Sequence, residues 1–214
     1  MKRIRNKIAR AALLAALPMF LCFLAGWADD LEGLKQEMAF VASIQADFIQ
    51  EKHLEMLEQP LISKGKLYFQ TPRLLRWEYT HPVRSVLLMN NERIRRYVET
   101  DSGMKLQKGQ SLEAMRVFLQ EICMWMQGAF QANPDLQARM APGNKVVLTP
   151  ADPAMAEIIE RIELQLTDTP GIIDFVAIHE SADSYTRIRF SETRINRAIE
   201  EAVFRRLNFG KGKQ

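Results

Sequence analysis

The chain has little of what covalent chemistry requires. Its 214 residues include two cysteines, Cys22 and Cys123, and three histidines, His53, His81 and His179. So few cysteines exclude a disulfide-stapled scaffold. The histidines lie far apart, with no cysteine or carboxylate at metal-ligand spacing. His81 precedes Pro82 in a turn, and His53 and His179 sit in polar strand surroundings, so all three read as surface residues. No glycine loop has phosphate-cradling spacing, and no Gly-x-Ser-x-Gly elbow occurs. The carboxylate pairs Asp29-Asp30 and Glu200-Glu201 read as solvated faces. The expectation is a protein with no catalytic residue, no metal and no cofactor, and therefore not an enzyme.

Long apolar runs are also scarce: the one candidate lies at the N-terminus. Met1 to Arg10 carries Lys2, Arg3, Arg5, Lys7 and Arg10 and no acidic residue. Ala11 to Ala25 is apolar, and the small residues Gly26 and Ala28 precede Asp29-Asp30. This pattern is a secretory signal peptide over residues 1–28, cleaved after Ala28. The apolar run is shorter than the roughly 20 residues needed to span a bilayer, and it contains Pro18. Phe20 and Leu21 stand before Cys22 where lipid attachment needs small residues, which argues against lipidation. The expected product is a soluble protein of the bacterial periplasm, with Cys123 as its one thiol and an apolar core as its support. Cys123 lies in a helical apolar stripe and reads as a small buried hydrophobe.

The formal net charge of +3 is carried by the leader: without it, 24 basic residues face 26 acidic ones, a net of −2. An exported, slightly acidic domain makes nucleic acid a poor partner. The basic cluster Arg93, Arg95 and Arg96 accordingly reads as a solvated outer face, with an anionic lipid or partner contact as the other reading.

What is present is the balance of one globular domain, 47% apolar and 26% charged, expected over residues 29–207 with a basic tail at 208–214. Asp30 to Ser43 reads as a helix, with Leu31, Leu34, Met38 and Val41 on one face. Strands follow. Ala46, Phe48 and Gln50 alternate with Asp47, Ile49 and Glu51; Pro60 and Gly65 bracket a loop; Leu67 to Gln70 is a strand. Leu75, Trp77 and Tyr79 share one strand face, opposite Leu74, Arg76 and Glu78. Val83 to Met89 is apolar, Asn90-Asn91 suits a tight hairpin, and Arg93, Arg95 and Tyr97 alternate with Ile94, Arg96 and Val98 on the return strand. Leu112 to Phe130 then breaks into an amphipathic helix. Further strands are expected at Lys145 to Thr149, Ile158 to Thr167, Ile172 to Glu180 and Tyr185 to Ser191, while Ile195 to Phe204 is open between helix and strand. The fold class is α+β, mainly β: an antiparallel meander interrupted by two or three helices.

The apolar inventory is unusual. Nine methionines follow the leader, and Met115, Met124 and Met126 share one helix with Phe118 and Trp125. Methionine adapts to irregular partners, so a Met-rich helix over a curved sheet can enclose an adaptable cavity as well as a plain core.

Four groups of residues, in order, resemble the LolA-type periplasmic lipoprotein carriers. They are Phe48-Ile49-Gln50; Gly65 to Phe69 with Pro72, Leu75 to Tyr79 and Pro82; the Asn90-Asn91 hairpin leading to Ile94 and Tyr97; and Thr186 to Ser191 with Ile195-Asn196 and Phe204. The stretches Gln50 to Leu54 and Gln59 to Ser63 look more like a specialised LolA-related subgroup. The resemblance implies an open half-barrel of antiparallel strands with a lid of amphipathic helices, and an apolar cavity for acyl chains between them. The implied lipid-binding residues are Phe48, Leu67, Phe69, Leu75, Trp77 and Tyr79 from the sheet and Met115, Phe118, Leu119, Ile122 and Met126 from the helix. It also implies a monomeric carrier that takes a lipoprotein or other lipid from an inner-membrane releaser or exporter to an outer-membrane acceptor. Two alternatives share the fold: a lipid-sensing regulatory or interaction protein, and a carrier of a non-lipoprotein lipid for a dedicated exporter. Two features depart from the family pattern. Thr71 stands where the pattern has an arginine before the proline, and a short basic tail follows Phe204. A lid without that arginine is expected to be held mainly by apolar packing of Met115, Phe118, Ile122 and Met126.

Overall fold

The computed structural model describes residues 31–91, 93–108, 111–169 and 171–205. The expected leader, its cleavage point and the basic tail lie outside them. Helix α1 covers 31–38. Strands β1 (Ser43–His53), β2 (Leu61–Gln70), β3 (Leu74–His81), β4 (Ser85–Asn90), β5 (Arg93–Thr100) and β6 (Gly103–Gln107) lead to helix α2 (Ser111–Trp125). Strands β7 (Leu136–Ala141) and β8 (Lys145–Pro150), the short helix α3 (Pro153–Ala156), and strands β9 (Arg161–Leu166), β10 (Ile173–His179) and β11 (Tyr185–Ile195) follow, with a 3₁₀ turn at Glu201–Phe204.

The strands form one antiparallel sheet in the order β6-β5-β4-β3-β2-β1-β11-β10-β9-β8-β7. The two meanders meet where β1 pairs with β11, and the sheet stays open because β6 and β7 are its edges. These edges are joined in sequence through α2. The chain must therefore cross from one side of the sheet to the other, and 15 residues of helix, roughly 22 Å at 1.5 Å per residue, provide most of the crossing.

Alternation decides what the helix covers. Leu67 pairs with Trp77 and Trp77 with Leu87; Phe69 pairs with Leu75 and Leu75 with Met89. All six side chains are buried, and their row continues through Phe48, Phe190, Ile188, Val176, Leu164 and Val146 on the neighbouring strands. From the helix, Leu119, Ile122, Cys123, Trp125 and Met126 join the same core.

The opposite face is covered near β3 and β4 by the C-terminal segment. There Arg76 and Glu78 form a buried ion pair at 2.7 Å, and an Arg76 Nη1–H donates to the carbonyl of Val203 at 3.2 Å. Phe204 is buried beside them. Asn196, at a left-handed φ of 55°, anchors the start of this segment: its Oδ1 accepts from the Ala42 amide at 2.7 Å and its Nδ2 donates to the Phe40 carbonyl at 3.1 Å.

Several elements differ from the sequence expectation. Gly65 does not end a loop but sits inside β2, because the strand runs unbroken from Leu61. A Cβ there would lie 2.1 Å from the Glu78 carbonyl oxygen and 2.4 Å from the Phe48 ring, so only glycine leaves room for that ring. The short strands β6 and β7 and helix α3 are additions to the expected elements. The lid helix ends at Trp125 rather than Phe130, where Gly128 turns the chain at φ 71°. Residues 195–204 are neither all helix nor all strand: β11 ends at Ile195 and the 3₁₀ turn begins at Glu201. His179 is no surface residue, since its side chain is only 14% exposed beside Glu163 and stacks on Tyr185.

Candidate functional site

The inward face of β3, β4 and β5 does not pack solidly against α2. Between them lies a cavity of about 340 Å³. Trp77 and Tyr79 of β3, Ser85 and Leu87 of β4, and Arg96 and Val98 of β5 form its wall. Met115, Phe118 and Leu119 form its roof, while His81, Pro82 and Val83 stand at one end with Gln50 and Ser63. The wall residues recur at every second position because a strand presents alternate side chains to one face. Those of the roof recur at three and four because α2 turns one face to the sheet.

Of the residues anticipated for the cavity, Trp77, Tyr79, Met115, Phe118 and Leu119 line it. Phe48, Leu67, Phe69, Leu75, Ile122 and Met126 lie in the adjoining core. Leu67 and Met126 also border a void of about 10 Å³ on the β11 side, too small for a chain. Trp77 is the hub. Its ring lies 4.6 Å from Phe48, 6.3 Å from Phe190 and 6.4 Å from Phe118, which connects the sheet to the helix through aromatic edges.

Polar side chains interrupt the apolar lining: Gln50, Ser63 and His81 at one end, Tyr79, Ser85 and Arg96 in the wall. The Tyr79 hydroxyl donates to Gln50 Oε1 at 2.8 Å. Burial pushes the Tyr79 phenol above its ordinary pKa, with the Trp77 indole and the positive charge of Arg96 pulling the other way. The Trp77 indole nitrogen and Arg96 Nε are buried, and neither makes a well-formed hydrogen bond. Among the described residues the Arg96 head makes one polar contact, from Nη1 to the Met115 sulfur at 3.8 Å, a weak acceptor. Charge alone groups Arg96 with Arg93 and Arg95 on an outer face. The register corrects this: Arg96 pairs with Leu87 and lines the cavity, while Arg93 and Arg95 border a groove on the opposite face with Arg73 and Arg205. Strand parity is the signal in the sequence that separates them.

The lid is not held by apolar packing alone. Gln127, just beyond α2, donates from Nε2 to the Pro72 carbonyl at 3.3 Å and to the Cys123 carbonyl at 2.7 Å. Thr71 does not reach the lid; its hydroxyl donates to the Ala42 carbonyl at 3.3 Å. Arg76 serves the C-terminal segment instead. Cys123 is buried on the inward face of the lid helix, and burial pushes its thiol up to about 12. Among the described residues no three histidine, cysteine or carboxylate side chains gather at a metal-holding distance, and no helix is long and apolar enough to cross a membrane.

Among solved structures, the chain resembles the MucA/MucB complex of Pseudomonas aeruginosa at 13% identity and a TM-score of 0.50, covering 83% of this chain and 60% of that one. An uncharacterised conserved protein from Thermus thermophilus matches at 12% identity and a TM-score of 0.50, over 87% and 96% of the two chains. At such identities the likeness is one of fold. No curated protein matches the chain in sequence. The family model of the outer membrane lipoprotein carrier protein LolA matches residues 39–206, well over half the chain, along both meanders and the helix between them. The chain therefore belongs to the LolA family, a carrier and binding fold whose members are periplasmic.

Proposed function

We propose that this protein is a periplasmic carrier that holds an acyl chain between α2 and strands β3 to β5 and ferries a lipid or lipoprotein from the inner to the outer membrane. The observation that carries this reading is the apolar cavity under a helix that bridges the sheet edges, in a chain of the LolA family. Each buried methylene is worth roughly 0.8 kcal/mol, so an acyl chain crosses water only inside such a cover. The exported form begins at Asp29 after cleavage behind Ala28, and carries a free thiol at Cys123.

Two measurements test this. Intact mass of the periplasmic protein should correspond to a start at Asp29; an uncleaved chain or a lipidated Cys22 overturns the carrier reading. Trp77 lines the cavity and Trp125 lies in the core, so Trp125→Phe leaves one reporter in the exported form. A twelve-carbon acyl or alkyl ligand should shift Trp77 emission to the blue. An unchanged spectrum at saturating ligand means a closed core and no carrier.

A further inference from the structure

The cavity has one feature that a pure hydrocarbon site does not need. Arg96 places a permanent cation among Trp77, Leu87, Val98, Met115 and Phe118. Among the described residues no aspartate or glutamate lines the cavity and no carboxylate pairs with Arg96. Its Nε–H is buried without a partner, and its Nη1 finds only a thioether. A partly buried charge without a counter-ion is costly, and so is a buried donor left unmade. Further donors share the space, among them the indole N–H of Trp77, 2% exposed and without a well-formed hydrogen bond, and the hydroxyl of the buried Ser85, with Gln50, Ser63 and His81 at one end.

The volume sets the second condition. At about 340 Å³ the cavity is at the lower end of the roughly 300–1,000 Å³ usual for small-molecule sites. That suits one chain rather than the several of a multiply acylated anchor.

We infer that the cargo is a single-chain lipid with an anionic head, a carboxylate or a phosphate, and that Arg96 binds this head inside the cavity. The inference rests on the carrier reading and narrows its cargo. A guanidinium meets either acid with two parallel N–H bonds, which a hydroxyl head cannot match. The apolar walls then take the chain, so head and tail are read by different residues of one site.

Calorimetric titration of the mature chain with dodecanoic acid, dodecyl phosphate and dodecanol, each kept below its micelle concentration, tests this. Either anion should bind at least about tenfold more tightly than the alcohol, the scale of a charge-assisted hydrogen bond. The tighter of the two anions identifies the head. Arg96→Gln should abolish the preference for the anion, and Arg96→Lys should restore part of it, with circular dichroism confirming the fold of each. Equal affinity for acid and alcohol in the unaltered protein overturns the inference without any variant and leaves the carrier reading standing. Failure of all three ligands to bind overturns the carrier reading itself.

Discussion

A missing side chain at Gly65 lets the Phe48 ring lie across β2 and reach Trp77 and Tyr79. Forcing a methyl group into a filled interior costs about 1–3 kcal/mol, and here the nearest obstacle is a backbone oxygen that cannot swing aside. Gly65→Ala should therefore lower the urea midpoint by at least that equivalent, and an unchanged midpoint would show that the strand shifts freely. Cys123 provides the pH prediction at this scale. The folded chain holds its thiol protonated up to about 12, against an ordinary 9.0. Above about 9 only the unfolded chain readily releases the proton, so stability should fall as pH rises from there and be unaffected by this group below it. At pH 8 the native thiol should also resist a disulfide reagent that labels it at once in denaturant; rapid native labelling would show that the lid opens often.

Among the elements, α2 decides whether the cavity is accessible, and Gln127 is its polar fastening to the sheet. Gln127→Ala removes a contact worth roughly 0.5–1.5 kcal/mol. Amide hydrogen exchange should then quicken across 111–125 and remain unchanged in β1 and β2; equal protection would mean that packing alone holds the helix. The lid is legible in the sequence because its apolar spacing is strong, and so is β3, where Leu75, Trp77 and Tyr79 alternate with polar residues. Strands β6 and β7 are not. Both lie at sheet edges, and only Leu136 of the two is buried, so burial imposes almost no pattern on them. Gln127 escapes notice because a single amide beyond a helix carries no periodic signal. Arg96 is hidden for a different reason: its parity with Ile94 and Val98 is plain, but like charge on the same strand suggests a common solvated face.

At the scale of the whole molecule, the two meanders and the lid share one core, which runs from Val146 and Leu164 through Phe190 and Phe48 to Leu87 and Met89. A single contiguous core predicts one cooperative melting transition rather than two, although β1 to β6 and β7 to β11 are separate meanders in the chain. Among the described residues the cavity is bounded by the first meander and the lid, so a ligand bound there touches one part of the molecule. If the core is continuous, that local gain must still be spread over the whole fold. A ligand at one hundred times its dissociation constant contributes about 2.7 kcal/mol to the native state. For a domain of this size each kcal/mol raises the melting temperature by about 2–4 °C, so saturating ligand should move the entire transition up by roughly 5–10 °C. Calorimetry with and without dodecanoic acid checks this. A transition that splits on ligand addition, with one part unmoved, would show that the second meander melts independently and that the sheet joint between β1 and β11 does not couple the halves.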